Sequence, residues 1–294
     1  MKSALAKVFN FGLSVRAKSE REEARMRAPA DYAYLGNGVG VTKTHRGHRI
    51  FVYTKDFGLT PHIIMNGVWE WGIEHAILKL VGAGSTVVEV GCNMGYHTLA
   101  MAEAIGPDGK LFGFEANPEI YRLLHWSVDH NGFFPRAKLY NHAVTQVPGQ
   151  VKFTYDPSAV GGGNVLNGDP KEGVKVITVP GVPLDETLAT VSNVDLLRMD
   201  AEGFEPLIIR GAKGLIERSP NIKIVVEWSV LMMATRLNLG EFVKELEATG
   251  FRAWVIDGDS NFNSVAMSEL TSLPHCEVTF SKSDISSLNT PQQR

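Results

Sequence analysis

The chain has 294 residues, 44% of them hydrophobic, and a formal net charge of -3. That length accommodates one core domain with an appendage and leaves two full domains cramped, while the mild negative charge supplies no electrostatic case for nucleic acid. Only Cys92 and Cys276 are present, which excludes a disulfide framework and points to a reducing, cytoplasmic setting, and no run approaches the ~18 apolar residues of a membrane span.

Met1 to Val15 has a lysine near its start and apolar residues after it, but Lys7 and Asn10 interrupt the run and no clean small-residue cleavage site follows, so a signal peptide is not expected. Leu5, Val8, Phe9 and Leu13 share one helical face, and Arg16 to Arg27 interleaves both charge signs at helix-pairing distances. A helical arm is therefore predicted over 1–37. Two readings of it stand: a solvated arm with an apolar first half, or an arm resting on a second copy of the chain or on an anionic membrane surface. From Gly38 to Thr54 the pattern is a hairpin with Arg46-Gly47 at its turn. Asp56 to Trp71 is rich in aromatics and reads as a cap over one end of a sheet, completing a hairpin and cap segment over 38–75. Glu74 to Val81 reads as a helix closed by Gly82 and Gly84.

The most informative stretch follows. Val87, Val88 and Val90 form a buried parallel strand that runs into a turn with Gly91 and Gly95, and a helix opens at Tyr96. A second apolar strand from Leu111 ends on Glu115, about the ~20 residues downstream at which a ribose-binding acid is needed. Glycine permits close backbone approach to a ligand, and the helix start presents unpaired N–H groups. The pattern Glu89-x-Gly91-x-Asn93-x-Gly95 lacks the third glycine of a dinucleotide fingerprint and adds a carboxylate and an amide. Such groups suit the ammonium and carboxylate of S-adenosylmethionine better than a pyrophosphate. NAD, and with it an oxidoreductase, remains an alternative at this point, as does a purely structural glycine turn.

Pro118 to Asn131 is a helix with Ile120, Leu123, Leu124 and Val128 on one face. Further strands are predicted at Lys138 to Val144, Val151 to Tyr155, Asp195 to Met199, Ile222 to Trp228, Phe251 to Ile256 and Glu277 to Phe280, with helices at Pro206 to Arg218 and Gly240 to Thr249. The alternation implies an α/β fold, a doubly wound sheet of about seven strands over 76–283 with an antiparallel strand at the end of the series and a flexible tail over 284–294. Ala159 to Pro170, with its three consecutive glycines, reads as a flexible insertion able to fold over a site. Ligands in such sheets sit beyond the carboxyl ends of the strands, which singles out Glu89 to Gly95, Glu115, Asn141 to Ala143, Asp200 to Gly203 and Glu227.

These motifs carry a resemblance. Val-Glu-Val-Gly-Cys-Asn-Met-Gly-Tyr-His-Thr at 88–98, Gly-Phe-Glu-Ala-Asn-Pro at 113–118, Leu-Asp-Glu-Thr-Leu at 184–188 and Asp-Leu-Leu-Arg-Met-Asp-Ala-Glu-Gly-Phe-Glu at 195–205 resemble the FkbM family of S-adenosylmethionine-dependent methyltransferases, over roughly 64–282. Cys92 and Arg198 depart from it, standing where alanine and lysine are usual. The resemblance implies the class I methyltransferase (Rossmann-like) fold and O-methylation of sugars, glycans or polyhydroxylated natural products. It also implies cofactor contacts at Glu89, Gly91, Asn93, Gly95 and Thr98 around the methionine part, Glu115 on the ribose, and Asn141 with His142 near the adenine. Bland readings stand beside these: a packed His142, Glu89 capping the following helix, a structural His97, and Trp69, Trp71 and Trp228 as core rather than as platforms for a sugar ring. A crevice that binds the cofactor without turnover is a further alternative.

The chemistry is in-line attack of an acceptor hydroxyl on a sulfonium methyl, aided by a base. Asp200 and Glu202 are the candidate bases. The alternative is a Mg2+ ion on Asp200, Glu202 and Glu227, hard oxygen donors suited to it; the structural reading is that Glu202 pairs with Arg198 or Arg210 and Glu227 merely ends a strand.

Overall fold

The computed structural model describes residues 32–170 and 172–289, so the arm up to residue 31 lies outside the described residues. The described chain begins with three antiparallel strands, β1 (Ala33–Gly36), β2 (Val39–Lys43) and β3 (Arg49–Tyr53), in spatial order. The turn after β2 closes with the Gly47 amide donating to the Thr44 carbonyl (2.9 Å), as the Arg46-Gly47 signal predicted. β1 is an addition to that hairpin and falls in the stretch assigned to the arm. Two helices follow, Leu59–Asn66 and Trp71–Leu80. Asp56 holds the first, its carboxylate accepting the amides of Leu59 (2.9 Å) and Thr60 (2.7 Å), which meets donors that a helix start leaves unpaired.

The remaining strands are β4 (Thr86–Val90), β5 (Lys110–Phe114), β6 (Ala137–Tyr140), β7 (Ala143–Val144), β8 (Gly149–Asp156), β9 (Ala159–Val165), β10 (Lys175–Val182), β11 (Leu196–Met199), β12 (Lys223–Trp228), β13 (Arg252–Ile256), β14 (Phe262–Val265) and β15 (Cys276–Ser281). Eight form the main sheet in the order β14-β13-β15-β12-β11-β4-β5-β6. β6, β5, β4, β11 and β12 are parallel, and β15 runs antiparallel between β12 and β13. This is the doubly wound class I arrangement, with the strand order reversing between β4 and β11. The expected seven strands gain an eighth, β14, whose exposed Asn263 and Ser264 hide it from a hydrophobic pattern. Alternate residues feed the two faces: Val87, Leu111, Leu196 and Val225 pack on one side, and Val88, Leu197, Ile224 and Val226 on the other.

Three further differences matter for the site. The single strand predicted over Lys138 to Val144 divides, β6 staying in the main sheet while β7 pairs with β10. The flexible insertion is instead β9, paired antiparallel with β8 in a four-stranded sheet ordered β7-β10-β8-β9. Of its three consecutive glycines Gly163 is the tight one, since a Cβ there would lie 2.7 Å from the Phe153 ring, whereas Cβ atoms at Gly161 and Gly162 would meet nothing closer than 3.4 Å. The helix predicted over Pro206 to Arg218 breaks into Glu205–Arg210 and Lys213–Glu217 at Gly211, where a Cβ would stand 2.4 Å from the Thr145 carbonyl. Residues 286–289 form a short 3-10 turn, and the Phe262 amide donates to Asn289 (2.7 Å), so the start of the expected flexible tail is docked.

Candidate active site

The cleft lies where strand order reverses. Its floor is the β4 turn, with Gly91 and Asn93, and the β5 end, with Phe114, Glu115 and Ala116; His142 and Val144 form one side, Asp200, Ala201 and Phe204 the other. β8 and β9 roof it through Phe153, Val160, Gly161, Gly163 and Val165. Both ends of this hairpin are tied down. The Val160 amide donates to Asp56 (3.2 Å) and the Phe57 amide to the Ser158 carbonyl (2.8 Å); at the far end Arg236 donates to the Val165 carbonyl (2.7 Å) and Asn167 to the Thr235 carbonyl (2.8 Å).

Gly91 is required twice over. Its φ is +81° and a Cβ there would sit 1.9 Å from the Asp200 carbonyl oxygen, so only glycine lets β4 and β11 leave the sheet this close together. Glu115 is held by the backbone: its carboxylate accepts the amides of Asn93 (2.9 Å) and Asn117 (2.8 Å). Burial nevertheless pushes its pKa up to about 7, against those two amides and with Asp200 and Glu89 nearby adding to the rise. Asn117 also caps the helix Pro118–His130, accepting from the Glu119 amide (3.0 Å), which anchors the strand tip.

Of the expected cofactor residues, Gly91, Asn93, Glu115 and His142 line the cleft and Glu89, Gly95, Thr98 and Asn141 do not. Glu89 and Thr98 are fully buried and bond to each other, the Thr98 hydroxyl donating at 2.5 Å. Gly95, at φ +98°, precedes the helix Tyr96–Ala104 and leaves room for Leu124. Asn141 donates to the carbonyls of Glu115 (2.8 Å) and Ala116 (3.1 Å), fixing the β5 end rather than facing the cleft. His142 lines the cleft, and its Nδ1 is buried with no protein partner, a polar atom suited to a ring nitrogen or amine. The glycine-backed floor, the carboxylate at the strand tip and this nitrogen fit an adenosine.

Beyond Asp200 the cleft wall becomes acidic. Asp200, Glu202 and Glu227 each offer an oxygen within 4.8 Å of the others. Glu202 sits at φ +53°, in the turn that brings its side chain back over the strand end. Burial, then the Asp200 charge, pushes its pKa up to about 7. Burial, followed by Asp200, Glu202, Glu205 and Glu277, pushes Glu227 up to about 10; burial likewise raises Glu205 and Glu277 to about 8 each. The pairing of Glu202 with Arg198 or Arg210 does not occur: Arg210 binds Glu245 (2.7 Å) and Arg198 binds Asp200 (3.0 Å). Glu227 lies 3.3 Å from the exposed His275.

Sequence reasoning missed three participants. Glu205, fully buried, accepts the Ala201 amide (2.7 Å) and props the 200–203 turn. Glu277 faces Glu227 across the β12–β15 ladder. Arg198 is 3% exposed and lies two residues before Asp200, hence on the same strand face, a signal that the sequence did contain. His97 hydrogen-bonds Glu70 (3.2 Å), and Trp228 is buried with its indole N–H on the Leu270 carbonyl (2.8 Å), so the structural readings of both fit. Trp69 packs against the core, while Trp71 lies against His75, ring centroids 3.7 Å apart and planes tilted by 41°.

No curated protein sequence matches the chain. Among solved structures it is similar to an O-methyltransferase of Thermotoga maritima (12% identity, 83% of this chain and 77% of that one, TM-score 0.43). It is also similar to the O-methyltransferase of tomaymycin synthesis from Streptomyces achromogenes (16%, 71% and 77%, TM-score 0.42) and to a protein described as an rRNA methylase of Clostridium thermocellum (15%, 73% and 96%, TM-score 0.45). No helix among the described residues is long and apolar enough to cross a membrane. The model of the methyltransferase FkbM domain matches residues 89–253, from the buried acid of β4 to the start of β13. The chain therefore belongs to the FkbM family of methyltransferases, which use S-adenosylmethionine as methyl donor.

Proposed function

We propose that the chain is an O-methyltransferase acting on a hydroxyl of a sugar, glycan or polyhydroxylated small molecule. The observation that carries this reading is the convergence of Asp200, Glu202 and Glu227 within 4.8 Å at the rim of the cleft that Asp200 itself lines. Gly91, Asn93, Glu115 and His142 would hold S-adenosylmethionine, which supplies an electrophilic methyl group when bound. Glu115, ionised, accepts the ribose hydroxyls, and the two amides behind it keep it aimed. The roof of β8 and β9 excludes water, which strengthens every polar contact beneath it.

Glu202 is the group suited to take the proton of the acceptor hydroxyl. A base works best with a pKa near the operating pH, and burial has brought Glu202 to about 7. Asp200, fixed by Arg198 at 3.0 Å, orients the hydroxyl beside it. The same trio supports a second reading in which the three carboxylates hold Mg2+, since hard oxygen donors at this spacing suit a small divalent cation.

The test is turnover of S-adenosylmethionine by the purified protein against a panel of sugars and polyhydroxylated compounds, with EDTA or added Mg2+. Glu202→Gln and Asp200→Asn are expected to lower turnover by roughly 10²-fold or more while retaining S-adenosylhomocysteine binding. Abolition by EDTA with recovery in Mg2+ selects the metal; indifference selects the general base. Full activity of Glu202→Gln removes the proposal.

A further inference from the structure

Strand register places residues of β4, β11, β12 and the antiparallel β15 in rows on one face of the sheet. Arg198 stands beside Glu89 on one side and Val225 on the other, and in the row above it, toward the cleft, come Gly91, Asp200 and Glu227. The Arg198 guanidinium reaches three different groups. Nη1 donates to the Gly91 carbonyl (3.3 Å) and lies 3.5 Å from Glu89, and Nη2 donates to Asp200 (3.0 Å). Burial opposes its charge, but Asp200 and Glu89 outweigh burial and raise its pKa, so it stays ionised.

Gly91 and Asp200 belong to the two halves of the site. The first is the floor under the cofactor; the second, on the proposed function, orients the acceptor. They also touch directly, since the Gly91 position has no room for a Cβ beside the Asp200 carbonyl. Thr98 extends the network to the first turn of the helix Tyr96–Ala104 through Glu89.

We propose that Arg198 is a positioning residue that fastens the cofactor turn to the acceptor acid, so that cofactor affinity depends on it although it does not line the cleft. The planar fork is what makes this possible. Arginine presents donors in fixed directions to several acceptors, whereas the lysine usual at this position offers a compact charge that satisfies one neighbour at a time. A buried arginine needed only to neutralise Glu89 would have no such requirement.

Two variants separate the roles. Arg198→Lys keeps the charge and loses the fork; the double variant Arg198→Met with Glu89→Gln removes the fully buried pair together, a replacement that proteins often tolerate, and leaves only the part-exposed Asp200 without its partner. Melting temperature and calorimetric affinity for S-adenosylhomocysteine are measured for both. The expected result is a melting temperature near that of the parent and an affinity lower by about tenfold or more, the effect of one charge-assisted hydrogen bond. Affinity within about twofold of the parent in either folded variant overturns the proposal, and so does unfolding of both, which would make Arg198 a core ion pair. Because the readout is binding, its failure leaves the acceptor chemistry standing; failure of the parent protein to bind S-adenosylhomocysteine would overturn both.

Discussion

Glu115 is the most exposed point of the cofactor argument. Its carboxylate is paired on one side with the amides of Asn93 and Asn117, at 2.9 and 2.8 Å, and on the other lines the cleft. Glu115→Ala removes the acceptor for the ribose hydroxyls, whose hydrogen bonds to a charged group contribute ~1.5–3 kcal/mol each. Affinity should therefore fall by ~2 kcal/mol at least, about 30-fold. The same change strands two amides, one of them on the nearly buried Asn117, and lowers stability by a further ~1–3 kcal/mol. The pKa of about 7 adds a second signature. If binding requires the ionised carboxylate, the dissociation constant should rise about tenfold per pH unit below 7 and level off above it. The probe for that measurement is methylthioadenosine, which retains ribose and adenine and carries no group titrating between about pH 5 and 9. Calorimetry on the parent and on folded Glu115→Ala decides the matter. Mutant affinity within about twofold of the parent, or a parent affinity flat across pH, would refute the reasoning.

Gly91→Ala should be among the most damaging substitutions outside the core. A left-handed alanine costs ~1–2 kcal/mol, and the Asp200 carbonyl, 1.9 Å from the new Cβ, must retreat by about an ångström or more; a lowered melting temperature with loss of cofactor binding is expected, and unchanged binding counts against the close strand approach. Stability without ligand should fall as pH rises. Glu205, Glu227 and Glu277 have folded pKa values of about 8, 10 and 8, each raised chiefly by burial, so the folded state retains protons that the unfolded chain has released above its ordinary carboxylate range. The contribution is fully present below about pH 4.5 and is lost progressively as pH climbs through those values. Thermal melts across this range should show the decline and Glu277→Gln should flatten it; a melting temperature that increases with pH contradicts the cluster.

Much of the main sheet is legible in the sequence because buried parallel strands read as near-continuous apolar runs, as Ile224 to Val226 and, with Glu89 the one interruption, Val87 to Val90 do. The glycine turn and Glu115 are equally visible, since only a few residue types can perform their tasks. What fails is inference about which way a polar side chain faces. The resemblance implies cofactor contacts at Glu89, Thr98 and Asn141, and in the structure their side-chain hydrogen bonds go to protein. A strand of Ala-Val-Gly-Gly-Gly-Asn-Val has almost no intrinsic β-preference, so β9 is stabilised by its ladder with β8 and by Phe153 lying over Gly163, contacts that no local pattern announces. The acidic cluster was foreseen at Asp200, Glu202 and Glu227, and these do meet. Glu277 was not, because β15 brings it there from the far end of the chain.

The hairpin over the cleft is fastened at one end to Asp56 and Phe57 and at the other to Thr235 and Arg236. During synthesis the glycine turn, Glu115 and the hairpin itself all leave the ribosome before the second anchor exists. A nascent chain can thus hold the glycine turn, Glu115 and the hairpin while that enclosure is fastened only at its Asp56 and Phe57 end, until the segment after β12 has emerged. Fastening of the second end is tied to translation of Thr235 and Arg236.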